Sequence, residues 1–210
     1  MKDYKDLVNC ILISLFLSLS ITSHLIAYRF VDLMGWVVIP SSLTYMACFV
    51  IVDVLSTFNN RIMLVAIMFC EAAANLIMMV VTNIVIELPS PSFLSADKSF
   101  HDVFKPIGTM YWANLVGAFI SLFVNYYIFT ILYIRYGVGF FISSVVSSVV
   151  VIFVYTSITD YLAFYKMYPE QAFEITMTNI ITNVFFLILF SIPAKHVVSI
   201  LGKYNRREYD

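Results

Sequence analysis

The sequence is short of charge. Only 12% of its 210 residues are Asp, Glu, Lys or Arg, roughly half the share in soluble domains, while 61% are hydrophobic. A chain of this composition cannot cover a water-soluble globule with polar side chains, so we expect its surface to face lipid. A net charge of -1 also provides no basic face for phosphate groups, which argues against a nucleic-acid partner.

Glycine and cysteine are scarce as well. Six glycines leave little material for a phosphate-binding loop, and no Gly-x-Ser-x-Gly or His-Glu-x-x-His pattern occurs. The three cysteines, Cys10, Cys48 and Cys70, lie in apolar runs, where a thiol usually packs as a small hydrophobe. We therefore expect no disulfide, no metal site, no cofactor and no catalytic residue. The chain is not predicted to be an enzyme.

Long apolar runs are what the sequence does contain. A hydrocarbon core about 30 Å thick requires about 20 apolar residues per helix. Six runs of that order are bounded by charges, Pro or Gly, and they cover residues 7–27, 36–58, 62–86, 107–134, 140–158 and 172–192. The predicted fold is all-α, a polytopic membrane protein with six transmembrane helices in one domain. An external loop containing two prolines is predicted at 87–106.

Basic residues outside the runs predict the orientation, because cytoplasmic loops of membrane proteins carry an excess of Lys and Arg. If both termini lie on one side, that side has more basic residues than the other. The two groups are Lys2, Lys5, Arg61, Arg135, Lys195, Lys203, Arg206 and Arg207 against Arg29, Lys98, Lys105 and Lys166. Both termini are therefore predicted to be cytoplasmic.

Two acids interrupt the predicted helices. Polar side chains are costly in hydrocarbon, so an acid there usually faces the bundle interior or an aqueous cavity and has a function. Glu71 lies about 14 Å into the third helix, close to the membrane midplane. Asp53 lies nearer the cytoplasmic end of the second helix. We expect Glu71 to contact a substrate and Asp53 to act as a gate or a proton-coupled group.

Other polar residues recur at helical spacing. Glu71 and Asn75 share a face of the third helix because they are four residues apart. Similar stripes occur in the first, fourth and sixth helices, and they are Ser20 with His24, Asn114 with Gly117, Ser121 and Asn125, and Asn179 with Asn183. Stripes that avoid lipid are expected to converge on a polar cavity. For the asparagines and His24, hydrogen bonding between helices is an open alternative to substrate binding.

The fifth predicted helix contains serines at positions 143, 144, 147 and 148. Small residues at this spacing let helix backbones approach closely in a membrane. The pattern therefore favours helix packing over a role in binding.

Several segments occur in a recognisable order. In the second helix, Pro40 is followed by Leu43-Thr44-Tyr45 and then by an apolar segment that contains Asp53. Further segments are residues 74–76, 88–93, 100–104 and 120–123. In this order they resemble the vitamin-uptake-transporter group of queuosine precursor transporters, six-helix proteins of the bacterial inner membrane. The resemblance covers nearly the whole chain, and it implies import of a 7-deazaguanine-type base.

Such a base would need donors, acceptors and aromatic surfaces. Its Watson–Crick edge has adjacent N–H groups, which carboxylate and amide oxygens accept, and its ring stacks on aromatic faces. The predicted substrate-binding residues are Glu71, Asn75, Asn114, Asn125, Asn183, His24, Tyr45, Phe49 and Trp112. Asp53 is predicted to be the gate or coupling group.

Two other functions are consistent with the same sequence. One is the substrate-binding subunit of an energy-coupling-factor vitamin transporter, which would work with a separate ATPase module. The other is a membrane scaffold that transports nothing, in which the polar stripes only hold helices together. The expected partners are a small-molecule substrate and the lipid bilayer. The sequence leaves open whether a second copy of the chain or an ATPase module binds as well.

Overall fold

The computed structural model describes residues 2–27, 29–33, 35–91, 104, 117 and 120–206. Within these residues the chain forms six helices and one short β-hairpin. Five of the helices are long and apolar enough to cross a membrane, and a shorter apolar helix precedes the last two. Apart from the hairpin, the protein is therefore an all-α polytopic membrane protein.

The helices form because a bilayer offers no hydrogen-bond partner to the backbone, so each spanning segment must satisfy its own N–H and C=O groups. They are α1 (Lys2–Ile26), α2 (Ser41–Phe58), α3 (Arg61–Ile86), α4 (Ile120–Arg135), α5 (Phe140–Met167) and α6 (Ala172–Arg206). The last part of α4 is a π-helical turn, Ile131–Arg135. Strands β1 (Val31–Leu33) and β2 (Trp36–Val38) pair antiparallel between α1 and α2.

The second apolar run is not helical along its whole length. The helix predicted for residues 36–58 begins only at Ser41, and the start of the run forms β2. Gly35 makes the hairpin turn with φ of 85°, a conformation that glycine adopts readily. Pro40 disfavours helix for the residue before it and suits the start of the helix after it.

The last two helices are longer than their apolar runs. Helix α5 ends at Met167 rather than at 158, and α6 ends at Arg206 rather than at 192. Helix α6 continues through Pro193, which membrane helices tolerate because neighbouring groups satisfy the freed carbonyl. Much of the fourth predicted helix and most of the predicted external loop lie outside the described residues.

Helix α2 occupies the centre of the bundle. It contacts α1, α3, α5 and α6, and every side chain from Cys48 to Ser56 is buried. A helix that is apolar on all sides can be covered on all sides by its neighbours. Asp53 lies within this stretch, so the surrounding helices separate its carboxyl group from both lipid and water.

Both ends of the described chain lie on one side of the bundle, which we call the terminal side. Near the start of α1, Asn9 exchanges two hydrogen bonds of 3.0 Å with Asn59, which directly follows α2. In the second half of α6, Ser191 lies beside Ser144, which is close to the start of α5. The β-hairpin lies on the opposite side, where Val37 packs against the first turn of α6.

Candidate functional site

Glu71 belongs to a cluster formed by α1 and α3, which we call the glutamate cluster (Ser20, Glu71 and Asn75). Ser20 Oγ donates to Glu71 Oε1 at 2.6 Å, and Asn75 Nδ2 donates to the same oxygen at 2.7 Å. Asn75 Nδ2 also donates to Ser20 Oγ at 2.9 Å. All three side chains are buried. Glu71 lies about 15 Å from the start of α3, near the middle of a hydrocarbon core roughly 30 Å thick.

Two acceptor atoms of the glutamate cluster are unused. Asn75 Oδ1 is buried and has no hydrogen-bond partner among the described residues. The described part of the chain also provides no donor to Glu71 Oε2, since both hydrogen bonds of that carboxyl group use Oε1. A buried polar atom without a partner costs about 1 to 3 kcal/mol, so an arriving N–H donor would recover that energy. Being four residues apart, the two side chains project from the same face of α3.

Two more of the predicted binding residues, Tyr45 and His24, lie near Glu71, and a third, Phe49, packs against Tyr45. Tyr45 and Phe49 lie on α2, and their rings meet edge to face with centroids 5.1 Å apart. The Tyr45 hydroxyl and the His24 imidazole are both within electrostatic range of Glu71. Nδ1 of His24 lies 2.9 Å from the Ser20 carbonyl oxygen, which orients the ring along α1. Helices α1, α2 and α3 thus bring a carboxyl group, an amide, an imidazole and two aromatic rings to one region.

A second cluster surrounds Asp53 and joins four helices. We call it the aspartate cluster (Asp53, Asn125, Ser144, Ser148 and Ser191). Asn125 Nδ2 donates to Asp53 Oδ1 at 2.8 Å, and Ser144 Oγ donates to Asp53 Oδ2 at 2.5 Å. Ser148 Oγ donates to Asn125 Oδ1 at 2.9 Å, and Ser144 Oγ lies 3.5 Å from Ser191 Oγ. All five side chains are 0% exposed.

The aspartate cluster lies toward the terminal side of the bundle. Asp53 is about 8 Å from the end of α2, whereas Glu71 is about 15 Å from the start of α3 on the same side. The cluster ties α2 to α4, α5 and α6 through side chains alone. It therefore holds these four helices together near the terminal side.

The hydrogen bonds divide the predicted site residues between the two clusters. Asn125, predicted to line the substrate site, donates to Asp53 instead. On α6, Asn183 is buried, and Asn179 accepts a hydrogen bond of 2.6 Å from Ser42. The predicted binding residues Asn114 and Trp112 lie outside the described residues.

Serines contribute more to both clusters than their sequence pattern indicates. Ser144 and Ser148, predicted as packing residues, donate to polar side chains on α2 and α4. Ser20 donates to Glu71, although its spacing to His24 predicts only a polar stripe on α1. No sequence pattern singles out Ser191. The polar partner of a serine in a helix can be identified only once the helix that faces it is known, and this requires the tertiary structure.

Gly117 allows an aromatic ring to approach the backbone that precedes α4. A Cβ at this position would overlap the ring of Tyr155, which comes from α5. The Tyr155 ring in turn lies within electrostatic range of Tyr45. The absence of a side chain at Gly117 therefore allows the Tyr155 ring of α5 to approach the backbone that precedes α4.

No metal centre is evident in the part of the chain that the structure describes, where no three His, Cys, Asp or Glu side chains lie close together. Cys10, Cys48 and Cys70 are free thiols. The clusters consist of carboxyl, amide and hydroxyl groups, which bind by hydrogen bonding. This chemistry suits a neutral, polar organic ligand.

Comparison with known proteins gives one match. The model of a family described as "Putative vitamin uptake transporter" matches residues 40–197. This span covers most of the chain, and it includes Glu71, Asn75 and the whole aspartate cluster, whereas Ser20 and His24 precede it. Among the curated proteins and the solved structures, no match was found.

Proposed function

The chain belongs to the vitamin uptake transporter family, and from that premise we propose that it imports a queuosine precursor, a 7-deazaguanine-type base, or a related small heterocycle. Family membership and the spanning helices make the protein a multi-pass membrane transporter. The finer parts of the proposal are the cargo, the bacterial inner membrane as the location, and a cytoplasmic terminal side.

The observation that carries the cargo proposal is the pair of unused acceptors in the glutamate cluster. Asn75 Oδ1 is buried without a partner among the described residues, and Glu71 Oε2 receives no donor from them. A guanine-like base has neighbouring N–H donors along one edge, and two acceptors one helical turn apart suit such an edge. Binding would satisfy both oxygens together, whereas a ligand with a single donor would leave one of them without a partner.

The aromatic side chains beside Glu71 support a flat cargo. Tyr45 and Phe49 meet edge to face, so each ring leaves a face for stacking once neighbouring side chains move. Stacking of a base on an aromatic ring contributes about 1 to 3 kcal/mol. In this proposal the remaining predicted residues line the site or the path to it, and they are His24, Asn114, Asn125, Asn183 and Trp112.

We assign the gate to the aspartate cluster. In an alternating-access cycle the cargo site opens to one side of the membrane at a time. The hydrogen bonds of Asp53 to α4 and α5 lie nearer the terminal side than the glutamate cluster does. Breaking them would release α2 from α4 and α5, and in this proposal that opens the cargo site toward the terminal side.

The test is uptake of labelled 7-deazaguanine precursors by cells that cannot synthesise them, with queuosine in tRNA as the readout. The wild-type chain is expected to restore queuosine, and Glu71→Ala is expected to abolish the rescue because the acceptor is lost and Ser20 and Asn75 lose their partner. Asn83→Ala is the matched control, since Asn83 lies on the same helix and bonds only to Met79 within the described residues. Absence of rescue by the wild-type chain would rule out this cargo.

Two further measurements separate the alternatives. Co-purification with an ATPase module would favour a substrate-binding subunit of an energy-coupling-factor transporter. A thermal-shift panel of purines, deazapurines and vitamins would identify a different cargo. A panel with no stabilising compound, together with normal folding of Glu71→Gln, would favour the scaffold.

A further inference from the structure

The aspartate cluster contains an acid but no base. Asp53 is 0% exposed, and each of its carboxyl oxygens has one hydrogen-bond partner. Both partners, the Asn125 amide and the Ser144 hydroxyl, are neutral. Ionised carboxyl groups buried in proteins are normally paired with a cation or receive several donors. Among the described residues Asp53 has no cation beside it, and it receives only two donors, both neutral.

The helices packed around α2 supply no hidden counter-charge within the side chains that the structure describes. The groups that face Asp53 are Asn125 from α4, Ser144 from α5 and, through Ser144, Ser191 from α6. Among the described side chains of these three helices, the charged or imidazole groups are Arg135, Glu174, Lys195 and His196, and all are exposed. On α1 and α3, Asp6 and Arg61 are exposed, while His24 and Glu71 interact with each other.

The geometry suits a neutral carboxylic acid. If Asp53 carries a proton on Oδ2, that O–H donates to Ser144 Oγ, and the Ser144 hydroxyl then turns toward Ser191 Oγ, 3.5 Å away. Oδ1 continues to accept from Asn125. The hydrogen bond between Asp53 and Ser144 is kept with its direction reversed, and the one from Asn125 is unchanged. No buried charge remains on Asp53. A metal cation would instead meet the hydrogen atoms of the Asn125 amide, which point at the carboxyl group.

We propose that the aspartate cluster is a proton-binding site, and that closure of the terminal side requires one proton on Asp53. Opening separates α2 from α4 and α5, water reaches the carboxyl group, and the proton leaves as Asp53 ionises. Closure reverses the step, since the acid takes up one proton before it is buried again. The inference rests on the proposed transport function for its role in the cycle, but the protonation itself is independent of the cargo.

Infrared spectroscopy of the full chain in lipid bilayers tests the protonation directly. Protonated and ionised carboxyl groups absorb at different frequencies, and only the protonated form has a carbonyl stretching band. We expect a band from one protonated carboxylic acid at neutral pH that disappears in Asp53→Asn. The measurement is made in a Glu71→Gln background, so that the other acid buried among the described residues does not contribute. The inference is wrong if the band is missing or survives the Asp53→Asn substitution.

Asp53→Asn is also a mimic of the protonated acid, because its amide can donate to Ser144 and accept from Asn125. The variant is expected to fold, and in the Glu71→Gln background its melting temperature should depend less on pH between about 5 and 8 than that of the same background with Asp53 intact. In the wild type the unfolded chain releases this proton above about pH 4 while the folded chain retains it, so stability should fall as pH rises. Failure of Asp53→Asn to fold, or an unchanged pH dependence, would contradict the inference.

The two proposals fail separately. If no deazaguanine is taken up but the infrared band is present, the cargo is wrong and the proton site stands. If uptake is normal but the band is missing, the cargo stands and Asp53 is ionised in the closed structure. Replacing sodium by potassium in the buffer should leave the melting temperature unchanged, and a sodium-specific increase would show that the cluster binds a metal cation rather than a proton.

Discussion

Glu71 and Asp53 are both acids buried within membrane helices, but their hydrogen bonds differ. The glutamate cluster directs both donors to one carboxyl oxygen and leaves acceptors unused on Glu71 and Asn75. The aspartate cluster uses both oxygens of Asp53 and joins four helices. Unused acceptors are available to a ligand, whereas fully used ones hold the fold together. The two acids are therefore expected to respond differently to the same kind of substitution.

The largest effect is expected for stability at the aspartate cluster. Asp53→Ala leaves the Asn125 amide and the Ser144 hydroxyl buried without their partner, which should destabilise the fold by about 3 kcal/mol. Unfolding followed in detergent by heat or denaturant measures this. Glu174→Ala removes an exposed acid and serves as the control. A loss below about 1 kcal/mol for Asp53→Ala would mean that the cluster is not structural.

A smaller effect, on binding rather than stability, is expected at the glutamate cluster. Glu71→Gln keeps one acceptor for Ser20 and Asn75 but replaces the unused oxygen by an N–H₂ group. Loss of a hydrogen bond to a charged group should weaken cargo binding by roughly 10- to 100-fold while leaving the melting temperature nearly unchanged. Calorimetric titration of Glu71→Gln and Asp53→Asn side by side checks this. Equal losses of affinity in both would remove the distinction between the clusters.

Gly117 probes the packing that supports the aromatic side of the cargo site. In Gly117→Ala the new methyl group overlaps the Tyr155 ring, which must move, and we expect a loss of about 1 to 2 kcal/mol of stability. Gly202→Ala is the matched control, because nothing lies within 4 Å of its Cβ position. Thermal unfolding compares the two. Gly117→Ala should cost less stability in a Tyr155→Ala background than in the wild type. An equal cost in both backgrounds would assign the strain elsewhere.

The smallest effect is expected for the neutral pair at the terminal side. Asn9 and Asn59 exchange two hydrogen bonds without any charged group. Polar contacts between membrane helices average about 0.6 kcal/mol in double-mutant cycles, and we expect a coupling of that size from the cycle of Asn9→Ala and Asn59→Ala. The result measures how much a hydrogen bond between two neutral side chains contributes to the stability of this protein. A coupling as large as that between Asp53 and Ser144 would show that the carboxyl group adds nothing.

Parts of both clusters were predictable from local spacing. Glu71 and Asn75 are four residues apart on one helix, so their hydrogen bond follows from helix geometry. The partner of Asn125 was not predictable, because Asp53 and Asn125 are 72 residues apart. Spacing assigns each residue to a face of its own helix. It does not say which other helix packs against that face.

The hairpin shows a different limit of sequence reasoning. The apolar run from Trp36 onward continues without a break in hydropathy into α2, so its length alone predicts one helix. Pro40 and Gly35 carry the opposing signal, since one suits the start of a helix and the other suits a turn. Backbone preferences at these two residues decide the boundary, and the average polarity of the segment does not.

The sequence by itself determined that this protein crosses a membrane with apolar helices, since in lipid each helix must satisfy its own backbone groups and composition alone reveals it. It also determined that Glu71 and Asp53 lie inside those helices. Only the tertiary structure decided that one acid retains unused acceptors and that the other joins four helices. Side-chain partners are set by how helices pack against one another, which depends on contacts between residues far apart in the chain.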